Sequence, residues 1–191
     1  VICDEELCHQ VQEGNEAAME ALVHRFHRPV FGYLFRHLEN RSAAEDLTQE
    51  TFARLLVRVH QYRFPQPFKP WLFTIAQNLY RDHCKAQANR STVPVAEPIS
   101  PAVPEPYDLS LRIAERIEVI TAIRSLEAPQ REVLLLRYYH DLKVDEIADV
   151  VGVPSGTIKS RLFGAMGKLR DLLGAEEGGH GREASGKGSR Q

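Results

Sequence analysis

An all-α protein of two small helical domains joined by a proline-rich linker is what this sequence predicts, and three observations carry the prediction. Apolar residues recur at helical spacing from about Ala17 to about Gln87 and again from about Leu109 to about Leu173, whereas no stretch alternates for more than a few residues as a half-buried strand would. Between the two blocks, residues 91–108 read STVPVAEPISPAVPEPYD, with prolines at 94, 98, 101, 104 and 106 that lack a backbone donor and hold φ fixed. The composition, 43% hydrophobic and 26% charged over 191 residues, is that of globular protein at a length that suits two small domains as well as one. The expected divisions are 1–90, a linker over 91–111, a second domain over 112–173, and a tail over 174–191. The tail is rich in glycine, mixed in charge and without large apolar side chains, which predicts disorder.

Charge is informative by its placement. The formal net charge of −2 argues against a protein that coats nucleic acid indiscriminately. The first twenty residues carry six acidic side chains and no Lys or Arg, while Pro154 to Arg170 holds Lys159, Arg161, Lys168 and Arg170 and no acidic residue. Segregation of this kind suits local DNA contact, with other surfaces turned to other partners. No apolar run approaches the roughly 20 residues that cross a bilayer, and the acidic start is unlike a secretory leader, so a cytoplasmic protein without membrane insertion is expected.

Cys3, Cys8 and Cys84 make an odd count and read as free thiols. Cys8-His9 and His83-Cys84 would supply four metal ligands only if the two segments met, and nothing in their spacing enforces that. The eight histidines are scattered, no Gly-rich phosphate loop occurs and no nucleophile has a base beside it. No metal, cofactor or catalytic residue is therefore expected, and no enzyme.

The clearest local motif is a helix-turn-helix within Val144 to Arg170. Residues 144–162 read VDEIADVVGVPSGTIKSRL. Ile147, Ala148 and Val151 give one apolar face, Gly152 supplies the left-handed residue that ends the helix, and Val153 packs into the turn. Pro154 enters where proline is tolerated, and Ser155 is placed to cap the next helix, which Ile158 and Leu162 seat on the first. Ala148 is small enough for two steeply crossing helices to approach. Ser155, Thr157, Lys159, Ser160 and Arg161 are left exposed on the second helix, as donors suited to phosphates and base edges in a major groove.

In the first block, AEDLTQETFARLLVRV (Ala44 to Val59) places Leu47, Phe52, Leu55, Leu56 and Val59 on a buried stripe and Asp46, Gln49, Glu50 and Arg54 on the opposite face. An acidic, amide-bearing face disfavours DNA and suits either solvent or a basic partner helix. FKPWLFTIAQNLYRDHCKAQANR (Phe68 to Arg90) has Trp71, Leu72, Ile75, Ala76 and Leu79 toward the core and Asn78, Arg81, Lys85 and Arg90 on or near another side. Aromatic and amide groups beside cations are what unstacked bases and a phosphate backbone require.

Taken together, AEDLTQETF, FKPWLFTIAQNLYRDHCK, a linker and EIADVVGVPSGTIKSRL resemble the extracytoplasmic-function sigma factors of bacterial RNA polymerase, over roughly residues 7–173 and in the family's order. The resemblance implies an alternative sigma factor that binds core RNA polymerase, directs it to promoter DNA, melts that DNA and is held by an anti-sigma factor. It assigns polymerase binding to Asp46, Gln49 and Glu50, the minus-ten element to Trp71, Asn78, Arg81 and Lys85 with a loop at about Tyr62 to Pro70, and the minus-thirty-five element to Ser155, Thr157, Lys159, Ser160 and Arg161. It also implies that the linker follows the polymerase's RNA path.

The chain departs from the family pattern in two places. Phe163-Gly164-Ala165-Met166 stands where Phe-Arg-Ala-Arg is common, removing two phosphate contacts, and Gly164 and Gly167 each weaken helix by ~1 kcal/mol relative to Ala, which predicts a mobile recognition helix. Cys84-Lys85 keeps a charge where the family has Arg, without bidentate geometry. A free-standing dimeric helix-turn-helix regulator is the alternative function, but it leaves the DLTQE face and the aromatic-basic helix without a role.

Overall fold

The structure, a computed structural model, describes residues 2–90 and 111–174. Apart from Leu111 and Gly174, the proline-rich linker and the glycine-rich tail lie outside the described residues. Eight α-helices make up the described fold: α1 (Asp4–Gln12), α2 (Glu16–Leu38), α3 (Arg41–Arg58) and α4 (Phe68–Arg90) in a first lobe, then α5 (Leu111–Ser125), α6 (Ala128–Tyr138), α7 (Val144–Val151) and α8 (Ser155–Gly174) in a second. A single 3-10 turn, Val59–Gln61, follows α3. The all-α expectation holds, and no strand occurs among the described residues.

Local chemistry sets the helix ends. The Asn15 side chain accepts from the Ala18 N–H at 3.2 Å to start α2, and Asn40 accepts from Ala43 at 2.9 Å to start α3. Glu39, left-handed at φ 51°, separates them. Along α2, Leu22, Phe26, Val30 and Leu34 recur every fourth residue and are buried against α3 and α4. Thr48 and Thr51 satisfy their buried hydroxyls on the carbonyls of Ala44 and Leu47, at 2.6 and 2.7 Å.

α1 precedes the first block read from the sequence. It buries Leu7, Cys8 and Val11 against α2, with Asp4, Glu5 and Glu6 in its first turn, where the helix dipole favours anions. Burial, with Glu5 nearby, pushes the Cys8 thiol up to about 12, so this cysteine is inert packing.

α4 packs along α7, and Val133, Leu136, Leu142, Ile147, Val150, Val151 and Ile158 of the second lobe belong to the same buried cluster as the core of the first. A smaller cluster, Leu126, Leu134 and Ala165, joins α5, α6 and α8.

α8 runs unbroken through Gly156, Gly164 and Gly167. Gly164 lies where a Cβ would stand 2.9 Å from the Gln130 side-chain nitrogen on α6, whereas Gly167 faces nothing within 4 Å. Gly167→Ala is therefore expected to stabilise the protein by up to ~1 kcal/mol, and Gly164→Ala by less, because Gln130 must move. Thermal melts of the two variants, read by circular dichroism, check the difference.

Candidate nucleic-acid and polymerase interfaces

Asp46, Gln49 and Glu50 are all exposed on one face of α3. Glu50 accepts from Arg54 at 2.8 Å and Arg41 pairs with Glu45 at 2.8 Å, whereas Asp46 forms no ion pair among the described residues. The same face continues through Ala53 to Leu56 and Val57, which are 50% and 79% exposed. This corrects the buried stripe expected from sequence: Leu55 and Phe52 are buried, but Leu56 is not. Three successive apolar residues cannot all point inward from one helix, and Leu55 takes the inward position. The exposed face is thus acidic at one end and apolar at the other.

On α4, Trp71 is partly buried within an aromatic cluster, its ring 5.3 Å from Tyr62 and 6.1 Å from Phe68. Asn78 and Lys85 are exposed at seven-residue intervals from Trp71, so the three share one face. Arg81 does not join them. It is rotated round the helix toward the second lobe, where its guanidinium donates to the Val151 carbonyl at the C-terminal end of α7.

α1 holds the loop before α4. Gln12 donates to the carbonyls of Val59 and Tyr62 at 2.8 and 2.9 Å, and the Glu5 carboxylate accepts from the Phe68 N–H at 3.2 Å, capping α4. Burial raises the Glu5 carboxyl, but hydrogen bonds from its own and the Phe68 backbone and from Cys3 outweigh that and hold it below the usual range. Tyr62 donates to the Gln66 carbonyl, and His9 stacks on half-exposed Phe64 at 5.3 Å. None of these α1 contacts was anticipated, although Leu7, Cys8 and Val11 at helical spacing after three acids were a visible start signal.

The helix-turn-helix is built as the sequence indicates. Glu146 accepts from the Lys143 N–H at 2.7 Å, closing the start of α7. Gly152 at φ 73° ends it, with the N–H groups of Gly152 and Val153 both reaching Ala148, and Ile158 is buried where α8 crosses. Ser155 differs from expectation: it is the first residue of α8, and the carbonyl of Pro154 takes the Thr157 N–H at 2.9 Å. Lys159 and Ser160 are exposed, Ser155 and Thr157 partly so. Phe163, 85% exposed, lies one turn beyond Lys159. Arg161 is half-buried and faces Glu132.

Glu132, on α6, was not singled out from the sequence. It accepts from Gln77, which itself accepts from the Tyr33 hydroxyl, so one relay links α2, α4 and α6. Burial pushes the Glu132 carboxyl above the usual range, against the pull of Arg81 and Arg161. Two arginines expected at two different DNA elements therefore converge on one carboxylate. Arg36 over the Tyr139 ring at 4.3 Å and Arg124 paired with Glu39 at 3.4 Å complete the seam.

One lobe thus carries an exposed acidic-apolar face and an aromatic-basic helix, and the other a basic helix-turn-helix. Residues 22–90 match the family model for Sigma-70 region 2, and residues 116–169 match that for Sigma-70, region 4. The chain is 33% identical over 171 residues to the ECF RNA polymerase sigma factor BldN of Streptomyces coelicolor, covering 88% of this chain and 65% of BldN. It is 34% identical over 172 residues to the RNA polymerase sigma factor CarQ of Myxococcus xanthus, covering 87% of this chain and 95% of CarQ. Among solved structures, the sigma factor RpoE of Bartonella quintana, crystallised with the anti-sigma factor NepR, shares the fold at a TM-score of 0.70 and 22% identity, over 82% of this chain and 97% of that one. The chain belongs to the sigma-70 family, among the ECF RNA polymerase sigma factors.

The loop clamp is directly testable. Gln12→Ala leaves two carbonyls without their donor and is expected to cost about 1–2 kcal/mol, measured as a lowered urea midpoint.

Proposed function

We propose that this sigma factor directs promoter recognition by dividing three contacts among three surfaces. The α3 face of Asp46, Gln49, Glu50, Leu56 and Val57 docks on core RNA polymerase; its acids suit a basic partner and its apolar end supplies buried area. The α4 face of Trp71, Asn78 and Lys85, with the loop held by α1, receives the unpaired minus-ten strand. The first turns of α8, through Ser155, Thr157, Lys159 and Ser160, enter the major groove of the minus-thirty-five element. These residues supply binding energy and no bond-making chemistry: melting is offset by stacking and phosphate contacts to the opened strand. The site of action is the cytoplasm, and an anti-sigma partner of the kind crystallised with RpoE is the expected inhibitor.

The observation that carries this reading is that two family models match in order, one on each lobe, and that each lobe carries its exposed surface on a rigid helix. Arg81 and Arg161 contribute to DNA binding only after leaving the seam. The two elements stand about 25 base pairs apart, roughly 85 Å along B-DNA, whereas α4 touches α7 in this structure. The lobes must part to occupy both. Residues 91–110 between them can span at most roughly 70 Å, which, added to the breadth of the lobes, is enough.

Lys159→Ala is expected to weaken upstream promoter binding and to reduce the salt slope by about one, leaving core polymerase affinity unchanged. Asp46→Ala with Glu50→Ala is expected to do the reverse. Promoter-selective transcription by purified core polymerase, together with separate binding titrations for polymerase and for DNA, decides the matter. Core enzyme that gains no selectivity from the wild-type protein overturns the proposal.

A further inference from the structure

The centre of the seam is aromatic and contains two histidines whose Nε2 atoms find no hydrogen-bond partner among the described residues. His140, in the turn between α6 and α7, is 4% exposed, and its ring lies 4.5 Å from Phe73 on α4 and 5.7 Å from Tyr33 on α2. His37, on α2, stands 4.7 Å from Tyr33 and 5.1 Å from Tyr80. The Nε2 atoms of both rings are buried without a hydrogen-bond partner. A buried imidazole so placed is tolerated only while neutral.

The charges facing the two rings are cationic. Lys69 of α4 and Arg36 of α2, together with His37, face His140; Arg131 of α6 and Arg36 face His37. The seam's carboxylate, Glu132, is engaged by Gln77, with Arg81 and Arg161 beside it. A proton arriving on either histidine therefore makes a buried cation among cations. Parting the lobes returns His140 to water and uncovers the side of His37 that faces Arg131.

We propose that His140 and His37 form an acid-release latch: protonation as the surrounding pH falls below neutrality parts the two lobes and frees Arg81 and the helix-turn-helix. The latch concerns the shape of the chain, and its consequence for promoter binding rests on the function proposed above.

The direction follows from the titration of each ring. Burial, reinforced by Lys69, Arg36 and His37, pushes His140 down to about 3, and burial with Arg131 and Arg36 pushes His37 down to about 4. In the open chain both return toward about 6.5. The closed form thus keeps the full benefit of neutral histidines above about 6.5 and loses it progressively as pH drops toward 4. Between pH 7.5 and 5.5 the closing equilibrium weakens by about tenfold for His140 alone, and about a hundredfold if His37 is released with it. Glu132 acts oppositely, gaining a proton more readily when closed, but one carboxyl opposes two imidazoles.

Small-angle X-ray scattering of the full chain at pH 7.5 and 5.5, with helicity followed by circular dichroism, tests the latch without polymerase or DNA. The wild type is expected to expand at pH 5.5 with its helicity intact, while His140→Phe and His140→Leu, which fill the site and cannot ionise, remain compact at both values. In the wild type, the His140 ring Cε1–H resonance should titrate below 6.5 and in step with the expansion, a readout that needs no variant. An unchanged radius of gyration, equal expansion in the variants, expansion accompanied by loss of helicity, or a His140 titration near 6.5 each overturns the proposal.

Discussion

The arrangement of this protein depends on the carboxylate of Glu132 and the groups that surround it. The Tyr33–Gln77–Glu132 relay fixes α2, α4 and α6 at one angle, and Arg81 extends the same network to the end of α7. Each member is buried enough that removing one strands the others, which costs more than the network itself contributes. A mixed seam of this kind favours one closed geometry strongly while adding modest net stability. It is therefore specific in shape yet separable.

Rigidity is distributed to match. The surfaces that would meet polymerase and DNA stand on α3, α4 and α8, which are capped by Asn40, by Glu5 and by the turn at Pro154. α1 clamps the loop before α4 through Gln12. α8 is continuous through its glycines, and Ala165 and Ile158 anchor it on α6 and α7, so tertiary packing offsets weak local propensity. Gly164 also has a packing reason: the Gln130 side chain lies against it, leaving little room for a larger residue.

Much of this was legible in the sequence because it is local. Gly152, Ala148 and Ile158 specify the helix-turn-helix within eleven residues, and Asp46, Gln49 and Glu50 face solvent as their spacing requires. What sequence reading missed is non-local. Arg81 lies seventy residues from Val151, and Gln77 lies fifty-five from Glu132, so no periodicity links them. Ser155 shows a smaller limit, since capping preference does not settle whether a residue is the last before a helix or the first within it. α1 escaped for another reason: nine residues are too few to stand on propensity, and its stability comes from Leu7, Cys8 and Val11 on α2.

The continuous core has a consequence for the lifetime of the open chain. Because Leu142, Ile147, Val150 and Val151 share one buried cluster with Leu72, Ile75 and Leu79, separating the lobes brings aliphatic surface into water on both sides at once. Such surface invites self-association in a crowded solution. An open chain can persist alone in dilute solution, whereas in a crowded one its lifetime would depend on a macromolecule that covers those flanks soon after they part. Hand-over speed, and not affinity alone, would then set how much of an opened protein is captured instead of collapsing back or aggregating.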